Sequence, residues 1–230
     1  LSLPSKLTDR LLAGIVPATE SQPLAASDWV PAQAAAVADS KPLSLDDNDA
    51  ISGRRLAQPP LAKGKSAFAS AADFVATMLP LAEEAAQKIG VDARYLVAQA
   101  ALETGWGKYE LKNADGSPSY NLFNIKAGKR WAGDTVSTAT TEYSNGVATR
   151  ENARFRSYGS YAESFRDYAR LISSNPRYAA VLGQDDAAAF ARGLQSAGYA
   201  TDPLYADKLA RIINGNTLRT ALAASSTRSA

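Results

Sequence analysis

Apolar residues recur at helical spacing from about residue 70 to about residue 104, and again from about residue 160 to about residue 213. The first helix is predicted to begin after Ser70, which can cap it because an aspartate follows three positions later, and to end at Gly90. Pro80 lies inside this segment, where a proline is expected to kink the helix. Asp92 can cap a second helix, which should end at the turn formed by residues 104–107.

A pair of extended segments follows the second helix. Residues 135–143 are rich in threonine and valine, and residues 147–156 form another extended run after Asn145 and Gly146. An Asn-Gly pair between two such runs predicts a β-hairpin. Helical patterning then returns at Ser160, and further short helices are predicted over residues 176–182, 186–196 and 204–213. This order predicts a mainly α (α+β) domain with one small hairpin.

The first 65 residues are rich in alanine, proline and serine and contain few aromatic residues. Such a segment cannot bury enough apolar surface to offset its ordering entropy, so we expect a disordered linker. Residues 7–15 are weakly amphipathic and can form a helical turn or a docking peptide. We expect the ordered domain over residues 66–220 and a flexible tail over 221–230. The chain starts at Leu1 rather than methionine and has no signal peptide, which suggests a fragment of a longer protein.

The composition excludes several kinds of chemistry. The chain has no cysteine and no histidine, so disulfides, thiol nucleophiles, Ser-His triads and the commonest zinc ligands are ruled out. Acid-base chemistry must then depend on carboxylates, tyrosine or lysine. The formal net charge of +2 is too small to indicate nucleic-acid binding, and no run of about 18 apolar residues exists to cross a membrane. We therefore expect no nucleic-acid or membrane partner.

Glu103 is the strongest candidate for a catalytic acid. It lies on the apolar stripe of the second helix with Leu96. A carboxylate that faces the core is unfavourable, so its presence there indicates a function or a specific partner. It also falls in the last helical turn, near Trp106, and both the helix dipole and partial burial favour the neutral acid. A carboxyl group that stays protonated near neutral pH can protonate a leaving group in a glycosidase. The alternative is a structural salt bridge to Lys108 or Arg94.

Two sequence blocks carry a family resemblance. AALETGWG occupies residues 100–107, and YNLFNIK occupies residues 120–126. Together they resemble the signature of the glucosaminidase family of bacterial cell-wall hydrolases. The resemblance extends over about residues 70–215 through FRSY at 155–158, SFRDY at 164–168, NPRY at 175–178 and AGYATD at 197–202.

This resemblance implies a lysozyme-like helical fold with the hairpin beside an active-site groove. It implies an endo-β-N-acetylglucosaminidase that hydrolyses peptidoglycan glycan strands in the periplasm without a cofactor. The blocks are most similar to flagellar members of the family, which implies that rod proteins are partners, mainly through an N-terminal domain absent from this chain. A muramidase of the same fold and a non-catalytic wall-binding assembly module are the alternatives.

The resemblance also implies roles for individual residues. Glu103 corresponds to the general acid, and Glu142, on the hairpin, corresponds to a second carboxylate. A solvated strand glutamate opposite Arg150 or Arg154 is the alternative for Glu142. Tyr199 is similar to a tyrosine near the reaction centre.

Other positions are candidates for contacts with the sugar. Asp167 resembles a carboxylate that is important in flagellar members, although it can also anchor a neighbouring loop by hydrogen bonds. Asn124 can donate to an acetamido or hydroxyl group, or cap its loop. Four aromatic residues are candidate sugar platforms or core residues: Trp106, Phe123, Tyr158 and Tyr205.

Overall fold

The computed structural model of this protein describes residues 67–144 and 147–228, with side chains except at 141–150 and 228. The expected linker over residues 1–65, including the amphipathic segment 7–15, lies outside this range. The described elements, in chain order, are α1 (Ala71–Ile89), α2 (Ala93–Thr104), β1 (Thr135–Ser144), β2 (Val147–Arg156), α3 (Tyr161–Ser174), a 3-10 helix (Pro176–Val181), α4 (Ala187–Ser196), α5 (Tyr205–Ile213) and α6 (Asn216–Arg228). The predicted fold class, mainly helical with one antiparallel hairpin, is confirmed.

The first two helices begin and end where the sequence predicts. The Ser70 hydroxyl accepts a hydrogen bond from the backbone N–H of Asp73, and α1 ends at Gly90 with a left-handed φ of 71°. The Asp92 side chain caps α2, and Gly105 ends it with a φ of 57°. These two caps fix the length of α2 and place Glu103 in its last turn.

α2 lies at the centre of the fold. All of its residues from 95 to 104 are buried, because α1 and α5 both pack against it. Gln99 and Glu103 are therefore polar side chains inside the core, and each of them requires hydrogen-bond partners there.

The hairpin is held at its base by the loop that follows α2. Val136 pairs with Phe155 across the two strands, and both side chains are buried on one face with Ala153. The backbone of Ala127 donates to Arg154, and a bridge joins Lys126 to Phe155. This base therefore forms one unit with the loop at residues 121–127.

The end of the chain corrects the sequence prediction. The expected tail over residues 221–230 is in part the second half of α6, which packs against α1. Leu218, Ala221 and Ser225 are buried, and their spacing of three and four residues places them on one face of a helix. This helical face has too few apolar residues for the sequence pattern to have predicted the helix. No helix among the described residues is long and apolar enough to cross a membrane.

Candidate active site

Glu103 is buried at the end of α2, with only 1% of the residue exposed. Burial raises the pKa of its carboxyl well above the usual value, as the position on the apolar stripe predicts. The alternative salt bridge is not formed among the described residues. Arg94 instead pairs with the cap residue Asp92 at 2.9 Å. Glu103 therefore has no cationic partner among the described residues, and its neutral form is favoured.

Each oxygen of the Glu103 carboxyl accepts one hydrogen bond. The Asn124 amide donates to Oε2 at 3.0 Å, and the Tyr205 hydroxyl donates to Oε1 at 3.2 Å. These two bonds lower the pKa of Glu103, while the negative charge of Asp202 raises it, and both effects are smaller than that of burial. The site thus favours the acid and also holds donors ready for the carboxylate that remains after proton transfer.

The loop that carries Asn124 has a constrained backbone. Asn124 has a φ of 48°, and Tyr120 and Trp106 have φ values of 56° and 60°, in the left-handed region that residues other than glycine rarely adopt. The Asn121 side chain holds the loop in place, since its amide donates to the carbonyls of Ile125 and Arg156 at 3.0 and 2.8 Å. Backbone strain of this kind often accompanies functional sites, because the surroundings must impose it.

A cluster of buried tyrosines lies behind Glu103. Tyr205 contacts Glu103 directly, and its oxygen also accepts from the Gln99 amide at 2.9 Å. The Tyr168 hydroxyl donates to the other end of the same amide at 2.6 Å. The Tyr199 hydroxyl donates to the backbone carbonyl of Phe123 at 2.7 Å. Two of these tyrosines thus connect to Glu103 through side chains, while Tyr199 supports the loop next to Asn124.

Asp167 lies in a separate buried cluster at the base of the hairpin. Its carboxylate pairs with the Arg156 guanidinium at 2.5 Å and accepts a hydrogen bond from the Tyr158 hydroxyl at 2.7 Å. The Arg156 guanidinium also lies over the Trp131 ring, 4.5 Å from its centroid. These contacts agree with the loop-anchoring alternative for Asp167.

No group of three or more acidic residues in the described part of the chain could hold a metal ion. Glu103 itself is a buried carboxyl group with a hydrogen-bond donor on each oxygen, an arrangement suited to proton transfer.

The family is shown by comparison with known proteins. The family model described as mannosyl-glycoprotein endo-beta-N-acetylglucosaminidase matches residues 79–218. The chain belongs to the glucosaminidase family. This glucosaminidase is accordingly a glycoside hydrolase with the lysozyme-like fold that the resemblance implies.

Curated relatives of this glucosaminidase include the peptidoglycan hydrolase FlgJ of Pseudomonas aeruginosa, which is 51% identical over 99% of this chain and 58% of its own length. The peptidoglycan hydrolase FlgJ of Vibrio cholerae is 52% identical over 63% of this chain and 43% of its own length. The chain therefore spans about half the length of these relatives.

Solved structures of peptidoglycan hydrolases are also similar to this chain. A peptidoglycan hydrolase mutant from Sphingomonas sp. A1 is 58% identical with a TM-score of 0.65, and the match covers 66% of this chain and 98% of that one. The glycoside hydrolase domain of Salmonella typhimurium FlgJ is 40% identical with a TM-score of 0.54, covering 70% of this chain and 93% of that one.

The second carboxylate expected in this glucosaminidase, Glu142, lies on β1, where its backbone pairs with Thr149. The register places Thr141 opposite Arg150 and Ser137 opposite Arg154, so neither arginine is the direct cross-strand neighbour of Glu142. Its side chain lies outside the described atoms, and its catalytic role stays a prediction.

The four candidate sugar platforms differ in their exposure. Phe123 and Tyr205 are fully buried, and Phe123 stacks on Tyr168 with 4.1 Å between ring centroids. Neither ring has a face open to a sugar in this structure, which agrees with the core alternative for these two residues. Tyr158 is almost buried and is held by Asp167. Only Trp106 keeps a partly exposed ring.

Sequence reasoning missed several residues around the site. Gln99 belongs to no recognised motif. Its position four residues before Glu103 on α2, however, predicts that both side chains lie on the same face of the helix. Trp131 is a partly exposed ring whose Nε1 donates to the Asp134 carbonyl at 2.9 Å. Asp202 accepts from the backbone of Leu204 and from Lys208, and only the structure places its charge near Glu103.

Proposed function

We propose that this protein is an endo-β-N-acetylglucosaminidase that hydrolyses the glycan strands of peptidoglycan, with Glu103 as the general acid. The observation that carries the proposal is the buried Glu103 carboxyl, whose pKa is raised by burial and whose two oxygens are held by Asn124 and Tyr205. The names of the similar proteins, which are peptidoglycan hydrolases, support the substrate.

Glu103 would donate its proton to the glycosidic oxygen as the bond to the anomeric carbon breaks. The leaving sugar takes the bonding electron pair together with this proton, and water finally supplies the hydroxyl group at the anomeric carbon. The carboxylate that remains on Glu103 would keep its bonds from Asn124 and Tyr205, which stabilise the developing charge. The mechanism requires no cofactor.

Glu142 is the proposed second carboxylate. In glycosidases such a group attacks directly from roughly 5 to 5.5 Å from the acid, or activates water from roughly 6.5 to 9.5 Å. We expect the separation from Glu103 to exceed the shorter range without substrate, and we expect the hairpin to close when sugar binds. The substrate's own acetamido group is the third possible assistant.

Access to Glu103 requires local movement. Only 1% of the residue is exposed, so a glycosidic oxygen can reach the carboxyl only after neighbouring side chains shift. Trp106 lies one turn beyond Glu103, is partly exposed, and packs edge-on against Phe74 with 6.0 Å between ring centroids. We propose that Trp106 moves to admit the sugar and then packs against it.

The flagellar resemblance supports a proposal for the biological role. We propose that hydrolysis in the periplasm opens the wall for the flagellar rod, and that rod proteins bind mainly through a further N-terminal domain.

The test is hydrolysis of purified sacculi by the wild-type chain and by Glu103→Gln. We expect clearing of murein-containing gels by the wild type only, and unchanged melting of the variant, because the amide keeps the shape but has no acidic proton. Mass spectrometry of the released fragments should show N-acetylglucosamine at the reducing ends. Muramic acid at these ends would instead identify a muramidase, and binding without hydrolysis by the wild type would identify a wall-binding module.

A further inference from the structure

A continuous chain of hydrogen bonds runs through the core to Glu103. The Tyr168 hydroxyl donates to Gln99 Oε1 at 2.6 Å, and Gln99 Nε2 donates to the Tyr205 oxygen at 2.9 Å. Tyr205 in turn donates to Glu103 Oε1 at 3.2 Å. Of these four residues, Gln99 and both tyrosines are completely buried. A polar amide at the centre of a buried helix is costly unless it is fully bonded, so its presence requires a cause.

We propose that Gln99 is a positioning residue that directs the hydroxyl proton of Tyr205 toward Glu103. This role rests on the proposed function of Glu103 as the general acid. Gln99 does not touch substrate or the reacting atoms, and it acts only through Tyr205.

The direction follows from the chemistry of the amide. Nε2 is only a donor, so the Tyr205 oxygen must accept from it and its own proton is left for Glu103. The opposite amide orientation would place Oε1 against Tyr205 and draw that proton away from Glu103. In the structure the Tyr168 hydroxyl donates to Oε1, and this bond holds the amide with Nε2 facing Tyr205.

This chain of hydrogen bonds orients side chains and does not conduct protons. Burial raises the pKa values of Tyr168 and Tyr205 well above the usual value, and the charge of Glu103 acts in the same direction on both. Both phenols therefore stay protonated throughout the reaction. Tyr205 presents a donor to Glu103 before and after proton transfer, which stabilises the carboxylate product and makes Glu103 a stronger acid.

The first variant is Gln99→Met, which has a similar shape but neither donates nor accepts as the amide does. With Tyr205 no longer oriented, the pKa of Glu103 should rise, so the alkaline limb of the pH profile of kcat should move to higher pH. The value of kcat at the plateau should fall about tenfold, the factor expected for one lost transition-state hydrogen bond. A loss of melting temperature with an unmoved alkaline limb would show a purely structural role and overturn the proposal.

A double-mutant cycle tests whether Gln99 acts through Tyr205. Tyr205→Phe should give an upward shift of the alkaline limb at least as large as that of Gln99→Met. In the Tyr205→Phe background, Gln99→Met should add no further shift. An additive shift would overturn the proposed route through Tyr205.

Two further variants provide a substitute for Gln99→Met and a control for the loss of a buried hydroxyl. If Gln99→Met does not fold, Tyr168→Phe keeps the glutamine but removes the anchor of its amide, and a smaller shift in the same direction is expected. An unmoved limb in Tyr168→Phe would then overturn the proposal. Tyr178→Phe is the matched control, since its buried hydroxyl has no hydrogen-bond partner among the described residues. It should leave the alkaline limb in place.

A measurement without substrate separates this role from the proposed function. The infrared carbonyl band of protonated Glu103, assigned by its loss in Glu103→Gln, can be titrated in the full chain. If Gln99→Met raises the titration midpoint of this band while no glycan is cleaved, the orienting role stands and the proposed function fails. If glycan is cleaved but the midpoint does not respond to Gln99→Met, the orienting role fails and the function stands.

Discussion

The side-chain amide of Asn124 donates one hydrogen bond to the Glu103 carboxylate at 3.0 Å and a second to the backbone carbonyl of Glu103 at 3.1 Å. The amide therefore satisfies a carbonyl that the end of α2 leaves without a helical partner, and it holds the carboxyl at the same time. Asn124 adopts a left-handed φ of 48° in this position. Asparagine tolerates this conformation better than most residues, which connects the choice of residue to both contacts.

Replacing Asn124 by glycine tests the amide without straining the backbone, because glycine accepts a positive φ. Loss of the donor should raise the pKa of Glu103 further, since this bond lowers it. We expect the alkaline limb of the rate profile to move to higher pH and kcat to fall by about tenfold or more. Asn124→Asp, which replaces the donor by a second acidic group, should be more damaging. A wild-type pH profile in Asn124→Gly would contradict the positioning role.

Tyr199 is predicted to be more important for stability than for turnover. Its hydroxyl donates to the Phe123 carbonyl at 2.7 Å, and both residues are buried. Tyr199→Phe leaves that carbonyl unsatisfied, which should lower the free energy of unfolding by about 1–3 kcal/mol. Chemical denaturation and steady-state kinetics on wall fragments check this balance, with Tyr205→Phe as the comparison. A larger effect on kcat than on stability would instead support the catalytic role that the family resemblance implies.

Glu142→Gln should reduce turnover strongly, but less than Glu103→Gln does. Water or the acetamido group of the substrate can replace part of a lost second carboxylate, whereas nothing replaces the acid. Glu151→Gln is a suitable control, because Glu151 lies on β2 of the same hairpin and pairs with Lys126 at 3.2 Å at the surface. Wild-type turnover of Glu142→Gln across the pH range would leave one acid with substrate assistance as the mechanism.

Glu110 should make the protein less stable as the pH rises. Burial raises the pKa of Glu110 from 4.5 to about 7, against a smaller lowering by the hydrogen bond from Tyr161. Below pH 4.5 the residue is protonated in both states, so it has no effect on stability. Between pH 4.5 and 7 the unfolded chain loses the proton first, which destabilises the fold, and above pH 7 the penalty is complete at about 3 kcal/mol or less.

Glu110→Gln removes this titration while its amide oxygen can still accept from Tyr161, which donates to Glu110 at 2.9 Å in the wild type. We expect the variant to unfold at higher denaturant concentration than the wild type at pH 8 and at a similar concentration at pH 4. Glu83→Gln, an exposed position on α1, is the control. Equal gains at both pH values would show that the titration of Glu110 is not the cause.

Removing residues 1–65 should leave a folded domain. A segment rich in proline and alanine contributes few buried contacts, so the melting temperature of residues 66–230 should match that of the full chain. Turnover should also be similar if this segment is only a linker. A lower melting temperature would show that it packs on the domain, and faster turnover of the truncated chain would show that it covers the groove.

Local features of the chain were predictable because a few neighbouring residues decide them. Ser70 and Gly90 bound α1, and Asp92 and Gly105 bound α2, by interactions that span at most a few residues. The Asn-Gly pair in the sequence likewise predicted the pairing of β1 with β2. The buried position of Glu103 was predictable for the same reason, since its place on an apolar stripe at a helix end follows from residues within the helix itself.

The surroundings of Glu103 depend on contacts between distant segments. Asn124 is 21 residues away and Tyr205 is 102 residues away, and spacing along the chain does not show that these two side chains meet one carboxyl group. The sequence also cannot show whether an aromatic ring packs inside or faces a ligand, because both places favour the same apolar surface. Phe123 is a core residue because α3 packs on its ring, and Tyr205 is one because α5 packs against α2. The amino-acid order thus determined the helix that presents Glu103 and the apolar stripe on which it lies, whereas tertiary packing decided which donors hold its carboxyl oxygens.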